Sequence, residues 1–341
     1  MAYDPQQLYI DPILTGFSIG YTEQTLYGTR LAPEMRVGSK SGKYRVFDRS
    51  HWLIYRSRRE PGTSARTIGP RKWSEDTFKT QQHALKQFVT DEELRELQSQ
   101  GGLADDTFGG DLAIQPAREA VEDTTGSLMR EHEQLVATRF RNTANYAAGH
   151  TTALAGAAKW SDYTYVTAGQ PESVVSNPVA DIKAAVFKIY LATGRWPNTM
   201  VIPIDALGVI EGHPRVVDRY KNFALTDPDA WKSLLNVPAP ENFFVVDSRY
   251  NSAQNVWATE SLSSFWGQDV WIGIVDPTPA QKTKTFAKTF VYPQPNGEIR
   301  AVDTWRDEDI RSDWYRTTYE YDVKITSNVA GYLIQTAVAA V

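Results

Sequence analysis

The sequence predicts an α+β chain built from more than one lobe. A buried strand, Thr199 to Pro203, runs straight into a helix that ends near the His213-Pro214 break. A long periodic helix spans Pro116 to about Tyr146. From Phe243 onward strand patterns dominate, closing in the β-rich stretch Trp314 to Ile334. At 341 residues the chain exceeds what one core usually holds, so two or more lobes are expected.

Met1 to Ser41 reads as an arm. Pro, Gly, Gln and Tyr are interspersed, and neither helical nor strand periodicity persists. Such an arm needs a surface to lie on, and a neighbouring subunit is the natural candidate. Lys43 to Phe47 alternates like a strand, and Trp73 to Val89 reads as its returning partner, with Phe78 and Phe88 among polar residues. Between them lies a cationic stretch punctuated by Pro61-Gly62 and Gly69-Pro70, with Arg56, Arg58, Arg59, Arg66, Arg71 and Lys72. A lone two-stranded excursion is marginal in water, so its tip is expected to dock on an acidic surface of a neighbour.

Asp91 to Gln100 is a short helix stopped by Gly101-Gly102. In the long helix Val121, Leu128 and Leu135 fall seven apart, with Met129, Val136 and Phe140 beside them. At 1.5 Å per residue it would be about 45 Å long, and Gly126 inside it predicts a bend. Asn177-Pro178 is an N-cap followed by proline at the first position, and the helix it opens stops at Gly194. A basic segment, Arg215 to Lys221, follows His213-Pro214. Phe243 to Asp247 and Val270 to Val275 read as strands. Asn296-Gly297 between the strand-like runs Phe286 to Tyr292 and Ile299 to Trp305 predicts a hairpin.

Composition removes several classes of function. Acids and bases nearly balance, at a formal net charge of -5, so the chain is not built to grip nucleic acid by counterion release. There are no cysteines, which removes disulfides, zinc-thiolate sites and thiol nucleophiles together. The first residues, MAYDPQQLYIDPIL, lack the basic start and apolar run of a signal peptide, and no apolar run reaches membrane-helix length. Ten tryptophans and seventeen tyrosines are scattered rather than clustered, as core and interface residues would be.

Candidate chemistry is sparse. Neither GxxxxGK[ST], GxGxxG nor GxSxG occurs, and none of the five histidines has a partner at HExxH spacing. His132-Glu133 on the long helix reads as a solvated pair, and Glu131 and Glu133 point in different directions. Asp307-Glu308-Asp309 among Arg306, Arg311 and Arg316 reads as an ion-pair network able to set register between subunits. The predicted assembly interface therefore comprises the cationic tip (Arg56, Arg58, Arg59, Arg66, Arg71, Lys72, with Trp73) and the segment Asp307, Glu308, Asp309, Arg311. No catalytic, cofactor or metal residues are expected.

The order of these parts resembles the major capsid proteins of tailed bacteriophages, with the Hong Kong 97 (HK97-like) fold. The stretch PNTMVIPIDALGVIEGHPRVVDRYKN from Pro197 resembles their apical-domain signature, FDRSHWLIYRSRREPGT their extended loop, and FWGQDVWIGIVD their run before the hairpin. The resemblance implies an N-terminal arm (1–42), an extended loop (43–90), a peripheral domain with a spine helix (91–172), an axial domain (173–304) and a return into the peripheral domain (305–341). It implies a non-enzymatic subunit that forms hexamers and pentamers of an icosahedral shell around double-stranded DNA, held without sequence specificity and assembled in the host bacterial cytoplasm. Scaffolding, portal and decoration proteins are the implied partners, with no membrane. With no helical extension before the arm, the scaffold is expected to be a separate chain. Some members cross-link through a Lys–Asn isopeptide bond. Lys72, Lys79 and Lys86 are the loop lysines available, and no acid to assist them is identified, so cross-linking is not expected. Two rival functions are an encapsulin-type bacterial compartment shell and, more distantly, a carbohydrate-active enzyme. The first usually carries an amphipathic N-terminal helix, and MAYDPQQLYIDPILTGF shows no such periodicity.

Overall fold

The computed structural model describes residues 9–47 (except 22 and 24), 58–59, 61–62, 64–65, 67, 73–99, 115–163, 176–217, 240–252, 259, 261–278 and 285–339. In chain order the elements are β1 (Tyr9–Ile10), α1 (Pro12–Gly20), α2 (Gly28–Leu31), β2 (Glu34–Arg36), β3 (Ser41–Phe47), β4 (Trp73–Lys79), β5 (Gln81–Thr90), α3 (Asp91–Ser99) and α4 (Gln115–Arg141). Then come β6 (Thr151–Ala153), α5 (Pro178–Thr193), β7 (Thr199–Pro203), α6 (Ile204–Gly212), α7 (Pro214–Val217), β8 (Asn242–Val246), β9 (Arg249–Asn251) and β10 (Leu262–Ser264). The last five are β11 (Val270–Gly273), β12 (Ala287–Val291), β13 (Arg300–Asp307), β14 (Ser312–Ile325) and β15 (Gly331–Gln335).

The long helix is confirmed as α4, 27 residues ending at Arg141. Its core stripe is Val121, Leu128, Val136 and Phe140, all buried. Burying each such side chain is worth roughly 1.5–3 kcal/mol. The stripe lies on a sheet ordered β1-β13-β14-β12-β2, with β5 on the other side of β14. Thr124 of the helix meets Thr317 of β14 hydroxyl to hydroxyl at 2.8 Å. Gly126 makes room for the arm: a Cβ there would lie 3.1 Å from the Tyr21 hydroxyl. At the far end of α4, Phe140 packs edge-on against Trp271 (4.8 Å) and Phe286 (5.0 Å).

Those rings carry the core into a second sheet, ordered β6-β15-β11-β7-β8. Here the local signals decided the elements. Asn177 caps α5 through a side-chain bond from Ala180 N, Pro178 starts it, and Gly194 ends it at φ 66°. Ile182, Val186 and Ile189 form its buried face. All five residues of β7 are buried between β8 and β11, and the chain turns directly into α6. Of the basic segment after His213, only Arg215 to Val217 falls within the described residues, as part of α7.

Three expectations are corrected. The hairpin predicted at Asn296-Gly297 does not form, although the turn does, with Gly297 at φ 80° donating to Gln294 O (2.7 Å). β12 and β13 both pair antiparallel with β14, along the same edge. Val291 faces Tyr321 and Arg300 faces Tyr319, so residues 292–299 loop out of one interrupted edge. The real hairpin is β13–β14, closed at Asp307 and Ser312.

The closing β-rich stretch also divides. β14 stays in the first sheet, and β15 joins the second between β6 and β11.

Finally, the arm is held by its own subunit over residues 9–36. β1 adds to β13, and β2 adds in parallel to β12. α1 is capped by Asp11, whose carboxylate accepts from Ile13 N and Leu14 N, and it buries Leu14 against Val121 and Val302. The Asp11-Pro12 cap was legible in the sequence. The helix is too short, at 9 residues, to show periodicity, and tertiary packing stabilises it.

Candidate assembly interface

The extended loop is a two-stranded ribbon. β3 and β4 pair antiparallel from Ser41↔Lys79 to Phe47↔Trp73. The expected returning strand is interrupted at Thr80, where it leaves β3 and continues as β5 against β14. The root is anchored firmly. Phe78 stacks on Phe290 at 4.6 Å. The Tyr44 hydroxyl donates to Asp76 (2.6 Å), a bond that holds the Asp76 carboxyl below the usual carboxylate range despite partial burial. Lys40 reaches Glu320 at 3.0 Å.

Toward the tip, Arg58 and Arg59 are exposed, and Pro61-Gly62 forms a turn with Gly62 at φ 86°. Arg56, Arg66, Arg71 and Lys72 lie outside the described residues. Trp73 is placed as the first residue of β4.

Asp307, Glu308, Asp309 and Arg311 form the tight end of the β13–β14 hairpin, with Arg311 at φ 45°. The expected ion-pair network is centred differently. Arg306 binds Asp91 (2.8 Å), Glu308 (2.9 Å) and Asp313 (3.2 Å), and these carboxylates, Asp91 foremost, raise the guanidinium's pKa. Arg316 instead binds Asp303 at 2.7 Å. Asp307 accepts from Asp309 N at 3.1 Å. Asp309 and Arg311 make no ion pair among the described residues. Among the described residues no ion pair links Arg58 or Arg59 to this turn.

The expectation that His132-Glu133 is solvated is overturned. Both residues are buried, at 1% and 0% exposure. The Glu133 carboxylate accepts from the indole N–H of Trp266 (2.7 Å), from Tyr27 N (3.0 Å) and from Gly28 N. Burial raises its pKa, and those three donors oppose the rise. His132 donates through Nε2 to the Thr289 hydroxyl at 3.2 Å, and that hydroxyl donates to Ala32 O at 2.9 Å. Desolvation lowers its pKa to about 3, so the ring is neutral. The i+4 row Leu128, His132, Val136, Phe140 was the available signal, since it places His132 on the core stripe.

Among the described residues no group of His, Asp or Glu is placed to hold a metal, and no helix is long and apolar enough to cross a membrane. No protein-family model matches the chain. The chain is 24% identical over 328 residues to the major capsid protein of Burkholderia phage BcepMu, covering 95% of each. Its structure matches a phage-related protein from Bordetella bronchiseptica RB50 with a TM-score of 0.73 and 25% identity, covering 97% of this chain and 99% of that one. The fold also matches the mature capsid subunit of bacteriophage PhiM1, with a TM-score of 0.51 at 9% identity over 92% of this chain and 88% of that one. An anchored arm, a projecting ribbon, a spine helix on one sheet and a second sheeted lobe make up the Hong Kong 97 fold. Over nearly its whole length the chain is similar to phage major capsid proteins, and it reads as a structural subunit of a phage capsid shell. That assignment displaces the bacterial-compartment reading.

Proposed function

We propose that the subunit assembles through hexamers and pentamers into an icosahedral shell enclosing double-stranded DNA, in the cytoplasm of a host bacterium. The β3–β4 ribbon carries this reading. Among the described residues it has no third strand, and a ribbon of that kind gains stability by lying on another surface. The exposed arginines near its tip fit an acidic surface of the next copy. A net charge of -5 suits a shell that surrounds DNA without gripping its sequence.

Scaffolding, portal and decoration proteins are the partners this role calls for, and it calls for no catalysis. The two sheets support a division into a peripheral lobe around α4 and an axial lobe around α5, with the arm (1–42) and loop (43–90) serving assembly. Co-expression with a scaffold, followed by sedimentation and negative-stain electron microscopy, tests the proposal. Closed shells are expected, running as one band near 38.3 kDa after boiling in detergent. A chain that stays monomeric under all assembly conditions would overturn it.

A further inference from the structure

A groove of about 460 Å³ opens where the ribbon leaves the first sheet. Lys79 and Gln81 line it from the β4–β5 junction, Arg139 from α4, and Tyr321, Asp322 and Lys324 from the end of β14. Tyr321 is 1% exposed, and its hydroxyl has no hydrogen-bond partner. Arg139 Nε is likewise buried without a partner. The groove's acids have partners: Asp322 pairs with Lys324 (3.6 Å) and accepts from Lys79 N (2.9 Å), and Glu131 is hydrogen-bonded to the His83 ring (3.0 Å). The Lys79 ammonium and the Arg139 guanidinium make no ion pair among the described residues. Two cations without ion pairs, beside a buried, unpartnered hydroxyl, form a site for an anionic hydrogen-bond acceptor, and a carboxylate satisfies all three donors.

The same strand carries such a group at its other end. β14 begins at Ser312, directly after the Asp307, Glu308, Asp309 turn, where Asp309 is exposed and the Glu308 side chain, paired with Arg306, is 77% exposed. At about 3.3 Å per residue, Ser312 and Tyr321 lie roughly 30 Å apart. Donor and acceptor therefore sit at opposite ends of one strand and cannot meet within a subunit. Between copies they can meet head to tail, and a head-to-tail contact generates a ring when its rotation closes. We propose that the groove formed by Lys79, Arg139 and Tyr321 receives the Asp307–Asp309 turn of a second copy. This rests on the shell reading.

Charge exchange tests it, under the conditions in which the unaltered chain forms shells. The Lys79→Glu/Arg139→Glu pair and the Asp307→Lys/Asp309→Lys pair should each lower the shell yield about tenfold or more, because like charges then face each other. Each subunit should stay folded by circular dichroism, and because Arg139 and Asp307 are half-buried, the single changes Lys79→Glu and Asp309→Lys at exposed positions provide the check free of any folding defect. Combining all four changes should restore most of the yield. Normal yield from either pair, or a fourfold variant no better than the pairs, would overturn the contact. So would groove variants that assemble normally but retain less DNA, since the groove would then serve phosphate. If the unaltered chain forms no shells, the shell reading fails and this contact falls with it.

Discussion

The carboxylate of Glu133 accepts a 2.7 Å hydrogen bond from the indole N–H of Trp266. The two residues belong to different parts of the fold, the spine helix α4 and the loop between β10 and β11. The same carboxylate holds Tyr27 N and Gly28 N of the arm. One buried acid thus fixes three segments that are far apart in sequence. The arm, through β1 and β2, lies on the sheet that also anchors the ribbon, so this junction sets the frame in which the assembly surfaces are presented.

Replacing Glu133 by Ala leaves three N–H donors, two of them buried, without an acceptor. The expected loss is about 3 kcal/mol or more, since each orphaned buried donor costs about 1–3 kcal/mol. Glu133→Gln keeps one acceptor oxygen and should cost less. Urea unfolding of the unassembled subunit measures both, and an unchanged midpoint for Glu133→Ala would refute the junction.

Gly28→Ala should destabilise, against the usual sign. In a helix that change normally gains about 0.5–1 kcal/mol. Here the added Cβ would lie 2.7 Å from the Glu133 carboxylate and 3.0 Å from His132 Nδ1. The expected net loss is about 1–3 kcal/mol, as for overpacking elsewhere. A higher melting temperature for Gly28→Ala would show that the arm does not sit tight against α4.

Acid should weaken the subunit through His132. Its folded pKa, about 3, lies below its ordinary 6.5, so the unfolded chain binds the extra proton between those values. Stability from this residue is whole above about pH 6.5 and falls as the pH drops toward 3. At pH 5 the loss is about 2 kcal/mol. Glu133 acts in the opposite sense: its folded pKa is raised, so its contribution is lost as pH rises through that value. Denaturation midpoints measured between pH 4 and 8 should show the acid limb flattened in His132→Gln, and an identical limb would sink the assignment.

Reversing charge at Arg58 and Arg59, both exposed, should leave the fold intact but reduce shell formation. The defect should be larger at low salt, where screening is weak. Normal shell yield from the double Arg→Glu variant at low salt would return the ribbon tip to solvent.

Much of the fold was legible because some of its signals are local. Asn177, Pro178 and Gly194 mark the ends of α5 by chemistry within a few residues. The apolar run Thr199 to Pro203 had to be a buried strand. The alternation of Lys43 to Phe47 and the turn residues beyond it announced a ribbon. The order of these parts carried the capsid resemblance, and with it the function, although no single motif did.

Tertiary structure decided what depends on distant partners. Asn296-Gly297 makes its turn locally, but β14, arriving later in the chain, takes both flanking strands as its own neighbours. His132 and Glu133 look soluble because charge is a property of the residue. Their burial depends on donors from residues 27, 28 and 266 and on the Thr289 hydroxyl, which no local window contains. The sequence determined which segments become helix, strand and turn. Only the packed structure decided which strand each strand meets and which polar groups are dry, because those choices are settled by long-range burial and hydrogen-bond satisfaction.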